Sequence, residues 1–219
     1  MKFFTKNLLS SILSGILIAC GGFVYLICTQ KFDNGALYGA MLFSIGLFVI
    51  LIYKLNLFTG KVCYMLFENK TYNLNLLTIL IGNFIGAVST GYLFRLCSSD
   101  LVLTLSESIA KNKIDNNPFI ILILSIFCGI MIYLAVDIYK EAKHEIAKYF
   151  AVVICITVFI LCGFEHCIAN MFYFSIANAW NLSALIALII MIIGNTIGGS
   201  VFPLIRHFIK LLDENKQNG

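Results

Sequence analysis

Apolar residues fill six windows of the chain, about 8–28, 35–53, 73–97, 118–138, 146–178 and 182–208, separated by short polar stretches. A helix needs roughly 20 predominantly apolar residues to cross a bilayer, so each window is a candidate span. The fifth is too long for one straight helix, and Gly163, Glu165, His166 and Asn170 interrupt its middle. Lipid does not tolerate such a polar interruption unless it lines a cavity. The second window ends in a comparable break, Lys54-Leu55-Asn56-Leu57-Phe58-Thr59-Gly60-Lys61, before a short apolar piece from Val62 to Phe67. The pattern therefore predicts two discontinuous helices among six spans.

The third window contains Gly82-Asn83-Phe84-Ile85-Gly86-Ala87 and the sixth contains Gly194-Asn195-Thr196-Ile197-Gly198-Gly199. Each string follows one of the broken helices, so the chain reads as two copies of a three-span unit, about 8–97 and 118–208. Three is odd, so the second copy enters the membrane from the opposite face. Such an inverted repeat sets the two breaks against each other near the midplane. The repeated glycines read as packing positions that let helices approach closely. What remains is an outer loop, 98–117, and a cytoplasmic tail, 209–219, within a single membrane domain spanning 1–219.

Composition agrees: 60% of residues are hydrophobic and 12% charged, with a mean hydropathy of +0.95. That balance excludes a soluble enzyme, a nucleic-acid binder and a disordered scaffold, because the apolar surface exceeds what a core of this size can bury. The net charge of +4 matters mainly through its placement. Lys2, Lys6, Lys70, Lys140, Lys143, Lys148, Arg206, Lys210 and Lys216 fall on the side of the termini, against Lys31, Lys111 and Lys113 on the other. The positive-inside bias puts both termini in the cytoplasm. Lys54, Lys61 and Arg95 lie in or beside spans and do not enter that count. The cysteines read as free buried thiols. Cys20 imitates a lipidated signal residue, but the apolar run continues past it to Cys28, long enough for a retained span.

The chemistry concentrates at the breaks. Half-helices meeting at mid-membrane present N-terminal N–H groups that favour anions. Thr59 adds a hydroxyl, which either caps its own backbone or contacts a substrate. His166 is the only histidine within a span and lies beside Glu165 and Asn170, which favours function over filler. Glu165 needs donors, which the N–H groups of the opposing break could supply, tying the two loops together. His144 and His207 sit beside basic residues near the cytoplasmic ends and read as solvated. The string Cys162-Gly163-Phe164-Glu165-His166-Cys167 imitates a metal site, yet CxxC and HxxxH patterns are missing, and neither a metal nor a cofactor is expected.

GFEHCIANMFYFSIA (163–177), LFTG (57–60) and the paired GNxIG strings resemble the formate/nitrite transporter family of prokaryotic anion channels, whose relatives also carry hydrosulfide or lactate. The similarity covers about residues 8 to 208. It implies an aquaporin-like all-α fold of six transmembrane helices with the second and fifth broken. It also implies a homopentamer in a prokaryotic inner membrane, one pore per protomer, with a central hole that does not carry substrate. Carried over by motif, the central histidine is His166, its neighbouring asparagine Asn170 and the loop threonine Thr59. The vestibule lysine falls on Lys113. The outer constriction falls on Phe43, Phe159 and Ile132, and the inner one on Leu47, Ile50 and Leu57. A fourth-span pore position often held by asparagine falls on Gly129, and Cys162 replaces the usual serine before GFEH.

These readings converge on a passive, pH-sensitive channel for small monovalent anions or their conjugate acids, of the formate, nitrite and hydrosulfide class. Stripping water from an anion in an apolar constriction is costly, whereas a neutral weak acid passes. Lys113 would attract the anion, and His166 would donate a proton or order the water that does. A hydrosulfide-selective or short-carboxylate channel is the alternative within the class. A haem-bearing redox subunit would need paired span histidines. A membrane hydrolase using Cys162 or Cys167 with His166 would need an oxyanion site that the sequence does not display.

Overall fold

The computed structural model describes residues 2–217, which contain helices and no strand. In chain order the elements are α1 (Lys2–Lys31), α2 (Gly35–Ile52), α3 (Phe58–Lys61), α4 (Lys70–Cys97), α5 (Asp100–Ile114), α6 (Pro118–Glu141), α7 (Glu145–Leu161), α8 (Cys167–Ile176) and α9 (Leu182–Gln217). A 3-10 turn, Val62–Tyr64, continues α3. Five helices, α1, α2, α4, α6 and α9, are long and apolar enough to cross a membrane. The shorter α7 and α8 together make the sixth crossing. The breaks fall where the pattern put them, after α2 and after α7.

Both breaks are built alike. Lys54 has φ 52° and Gly163 has φ 68°, the left-handed conformation that ends a helix. Past each, the chain bonds back across the last turn: Leu55 N–H to the Ile50 carbonyl at 2.9 Å, Phe164 N–H to the Phe159 carbonyl at 2.9 Å. Elsewhere, side-chain caps set the helix starts. Asn69 accepts from Tyr72 N–H at 2.9 Å. Asn117 accepts from Phe119 N–H at 2.8 Å, with Pro118 in the first turn of α6.

The inverted repeat is visible in the packing, where α1 lies along α4 as α6 lies along α9. The glycines of the GN strings make this approach possible. A Cβ on Gly82 would lie 2.5 Å from that of Ser11 and 3.0 Å from the Leu8 carbonyl oxygen; one on Gly194 would meet Ser125 and the Leu122 carbonyl in the same way. Each half-helix crosses to the other repeat, α8 packing on α4 and the turn after α3 packing on α9. All ten residues of α8 are buried. Two differences from the sequence reading appear. The segment read as an outer loop, 98–117, carries the helix α5, which packs on α8, and the tail from 209 continues α9 as helix through Gln217.

Candidate permeation site

The asparagine of each GN string pins one break. Asn83 Oδ1 accepts from Phe58 N–H at 2.8 Å, while its Nδ2 donates to the carbonyls of Ser11 and Asn56 at 2.7 and 2.9 Å. Asn195 Oδ1 accepts from Cys167 N–H at 2.9 Å, and its Nδ2 donates to the carbonyls of Ser125 and Glu165 at 2.9 and 2.8 Å. Both are fully buried. One primary amide thus satisfies two backbone groups that unwinding the helix would otherwise leave unpaired in an apolar interior, and ties the break to a carbonyl of a neighbouring intact helix, α1 or α6. The sequence reading missed both residues. Their signal was present, since a polar residue repeated at matching positions of two apolar spans calls for a partner in each.

The pinned breaks bring Thr59 and His166 together, Thr59 Oγ1 lying 2.8 Å from His166 Nε2, with both residues buried. The Thr59 hydroxyl meets His166, a partner the sequence reading did not name, and α3 has no side-chain cap. His166 caps α8, its Nδ1 accepting from Ala169 N–H at 3.1 Å. With Nδ1 an acceptor, the proton of a neutral ring sits on Nε2 and is given to Thr59. Thr59 then keeps its own hydroxyl proton to donate. The half-helix N–H groups expected to face an anion are in part already used: Phe58 by Asn83, Cys167 by Asn195 and Ala169 by His166.

Glu165 takes different donors from those expected. Its Oε2 accepts from Lys113 Nζ at 2.7 Å and from Asn170 Nδ2 at 2.6 Å. The opposing break contributes neither. Lys113 comes from α5, and its side chain is 17% exposed against 4% for Glu165, so it is an ion-paired, largely covered amine rather than a free surface charge. A buried carboxylate is tolerable only with such partners. Asn170 also reaches Met191 Sδ at 2.9 Å and so ties α8 to α9. His144 and His207 are exposed, as the sequence implied.

Two cavities lie on either side of the Thr59 and His166 pair. The outer one, about 130 Å³, is lined by Phe43, Phe159, Lys113, His166, Asn170 and Tyr173, together with residues of α5 and the α7 end. Phe43 and Phe159 meet edge to face with ring centroids 5.9 Å apart, and Phe159 lies 5.9 Å from the His166 ring. The inner cavity, about 260 Å³, is lined by Leu47, Ile50, Leu57 and Val136 on its apolar side and by Lys54, Lys61 and Lys140. His166, Lys113, Asn170 and both aromatic rings thus line one cavity, with Thr59 and Glu165 bonded behind His166 and Lys113, and the three aliphatic residues line the other. Ile132 is buried and lines neither cavity. Gly129 is corrected: it faces α9, where a Cβ would meet the Asn195 carbonyl oxygen and lie 2.8 Å from Gly199 N, so it is a packing glycine and not a pore position.

A membrane-spanning fold with two broken helices, and a buried hydroxyl–imidazole pair between an aromatic and an aliphatic cavity, define an integral membrane channel or transporter. A profile of the formate/nitrite transporter family matches residues 2–209, and the chain belongs to that family. An uncharacterized transporter of Bacillus subtilis, YrhG, is 31% identical over 191 residues, covering 80% of this chain and 71% of the relative. The formate channel FocA of Haemophilus influenzae is 28% identical over 184 residues, covering 76% of this chain and 64% of the relative. The nitrite transporter NirC of Escherichia coli is 27% identical over 177 residues, covering 73% and 66%. The fold is that of a solved pentameric formate channel with formate bound, with a TM-score of 0.82 at 23% identity over 96% of this chain and 98% of the other.

Proposed function

We infer that this protein is a passive channel for small monovalent anions that cross as their conjugate weak acids, with formate, nitrite and hydrosulfide as the candidate substrates. The observation that carries the reading is the buried Thr59 and His166 pair, 2.8 Å apart, reached on one side past Phe43 and Phe159 and on the other past Leu47, Ile50 and Leu57. A bare anion in that environment loses its hydration without gaining equivalent partners. A protonated acid carries no charge and crosses. The ring hands Nε2–H to Thr59, and Thr59 donates to the substrate or to a water beside it. A ring giving away its own proton would first need a second N–H on Nδ1, the atom that caps α8. This favours His166 as the residue that orders the donor.

Lys113 lines the outer cavity with its charge matched by Glu165, and serves there as a fixed hydrogen-bond donor to an arriving anion rather than as a long-range attractor. The protein acts as a homopentamer in the plasma membrane of a prokaryote with both termini cytoplasmic, supported by the lysine and arginine distribution and by the pentameric solved channel of the same fold. The deciding experiment is a proteoliposome flux panel of formate, nitrite, hydrosulfide, acetate and lactate across pH. Formate, nitrite or hydrosulfide should pass faster as pH falls. Flux with no pH dependence, or none for any of these substrates, rules the reading out.

A further inference from the structure

The inner cavity differs from the outer one in charge. In the outer cavity the only lysine, Lys113, is matched by Glu165. Around the inner cavity stand Lys54, Lys61 and Lys140, and among the described residues none of them forms an ion pair. The nearby carboxylate of Asp137 is taken by Arg206 at 2.5 Å. Lys140 donates to Tyr64 Oη at 3.2 Å and lies 4.5 Å from that ring's centroid, contacts that orient the amine without cancelling its charge. Lys54 is held at φ 52° at the position where the second repeat has Gly163. A lysine in the left-handed region is strained where glycine is not. The first repeat thus tolerates strain at a turn that glycine makes freely, and the residue it places there brings a third amine to the cavity.

Three uncompensated amines over one concave apolar wall focus a positive potential into the space between them. A volume of about 260 Å³ falls below the roughly 300 Å³ lower limit of pockets for drug-sized ligands, which points to a small inorganic ion. A monovalent weak acid loses its charge with one proton and moves on past Leu47, Ile50 and Leu57. A divalent oxyanion keeps a charge after gaining one proton. It is attracted by the same amines, bonded by several at once, and barred by the aliphatic wall.

We propose that the inner vestibule is a binding site for divalent oxyanions of the phosphate class, which plug the pore from the cytoplasmic side. The blocking half of this proposal rests on the channel reading above; the binding half does not. Two measurements on the purified full-length oligomer separate them. Calorimetric titration with inorganic phosphate, against chloride at matched ionic strength, should give saturable binding for phosphate alone, weakened at least tenfold in a variant combining Lys54→Gln, Lys61→Gln and Lys140→Gln. Formate and nitrite flux in liposomes with phosphate on both faces should fall in the wild type and fall much less in that variant. If the triple variant does not assemble, Lys140→Gln, at the exposed end of α6, serves alone and should weaken binding severalfold. Phosphate no better than chloride, or binding unchanged by the substitutions, overturns the site. Binding that leaves flux untouched overturns the plug. Binding in a protein that carries none of formate, nitrite, hydrosulfide, acetate and lactate upholds the site and overturns the channel reading instead.

Discussion

His166 does two jobs with two nitrogens, and substitutions separate them. Its Nδ1 caps α8 and its Nε2 meets Thr59. His166→Phe removes both, and loss of a helix cap costs about 0.5–2 kcal/mol, so the variant should melt earlier and lose weak-acid flux. Asparagine is a good cap but too short to reach Thr59. His166→Asn should therefore keep a near-wild-type thermal midpoint while still losing flux. Wild-type flux in His166→Asn would remove the Thr59 and His166 pair from the mechanism. Lys113 belongs to the same scale. Truncating one partner of a buried ion pair costs about 3–5 kcal/mol because the other charge is left stranded. Lys113→Ala should destabilise the oligomer by that order, and adding Glu165→Gln should recover a large part of the loss. Additive effects in thermal unfolding of the two singles and the double would mean that the pair at 2.7 Å contributes no coupling. The glutamate and its need for donors were legible in the sequence. Which donors it takes was not, because Lys113 lies 52 residues away on a helix whose docking depends on the whole bundle.

At the scale of elements, the breaks could be read along the chain because lipid forbids polar backbone in a span, whatever the tertiary structure. The devices that make a break tolerable were harder to see. Asn83 and Asn195 each bond three backbone groups, and nothing local to either asparagine reveals those partners. Asn195→Ala leaves the Cys167 N–H and the Glu165 carbonyl of the break without this partner, at roughly 1–3 kcal/mol for each group left unsatisfied, and removes the tie to the Ser125 carbonyl of α6. The half-helix that positions His166 should then loosen. The expected result is a fall in thermal midpoint with flux reduced beyond what the lost stability explains, seen as faster hydrogen exchange of the α8 amides. Unchanged exchange in α8 would show that α8 is held by its buried side chains alone. The helix α5 escaped the sequence reading for a different reason. It is polar enough to resemble a loop when only long apolar windows are sought, and its buried positions, Val102, Ser106 and Ala110, recur every fourth residue on a single face.

The whole molecule places an aromatic-lined cavity on one side of the polar pair and an aliphatic-lined one on the other; in the proposed channel, selectivity follows from having to cross these two apolar zones without water. The apolar windows and the repeat were enough to anticipate the spans and the two facing breaks, whereas the residues of the two barriers came from the family resemblance. The windows and the repeat do not distinguish a side chain facing the path from one facing a neighbouring helix; Ile132 and Gly129 read as pore positions from the family resemblance alone, and of these Gly129 packs against α9 while Ile132 is buried and lines neither cavity. Phe159 tests the barrier itself, since it touches both Phe43 and the His166 ring. Removing its ring opens the outer cavity toward the polar pair and lets water follow the ion. An anion that keeps its water no longer needs a proton to cross. Phe159→Ala should therefore raise flux, admit chloride, and flatten the pH profile together, because all three follow from hydration of the same zone. The measurement is formate and chloride flux across pH in liposomes, with the mass of the oligomer checked in parallel. Increased flux that keeps the full pH dependence and still excludes chloride would place the proton requirement beyond Phe159, at the aliphatic barrier of Leu47, Ile50 and Leu57.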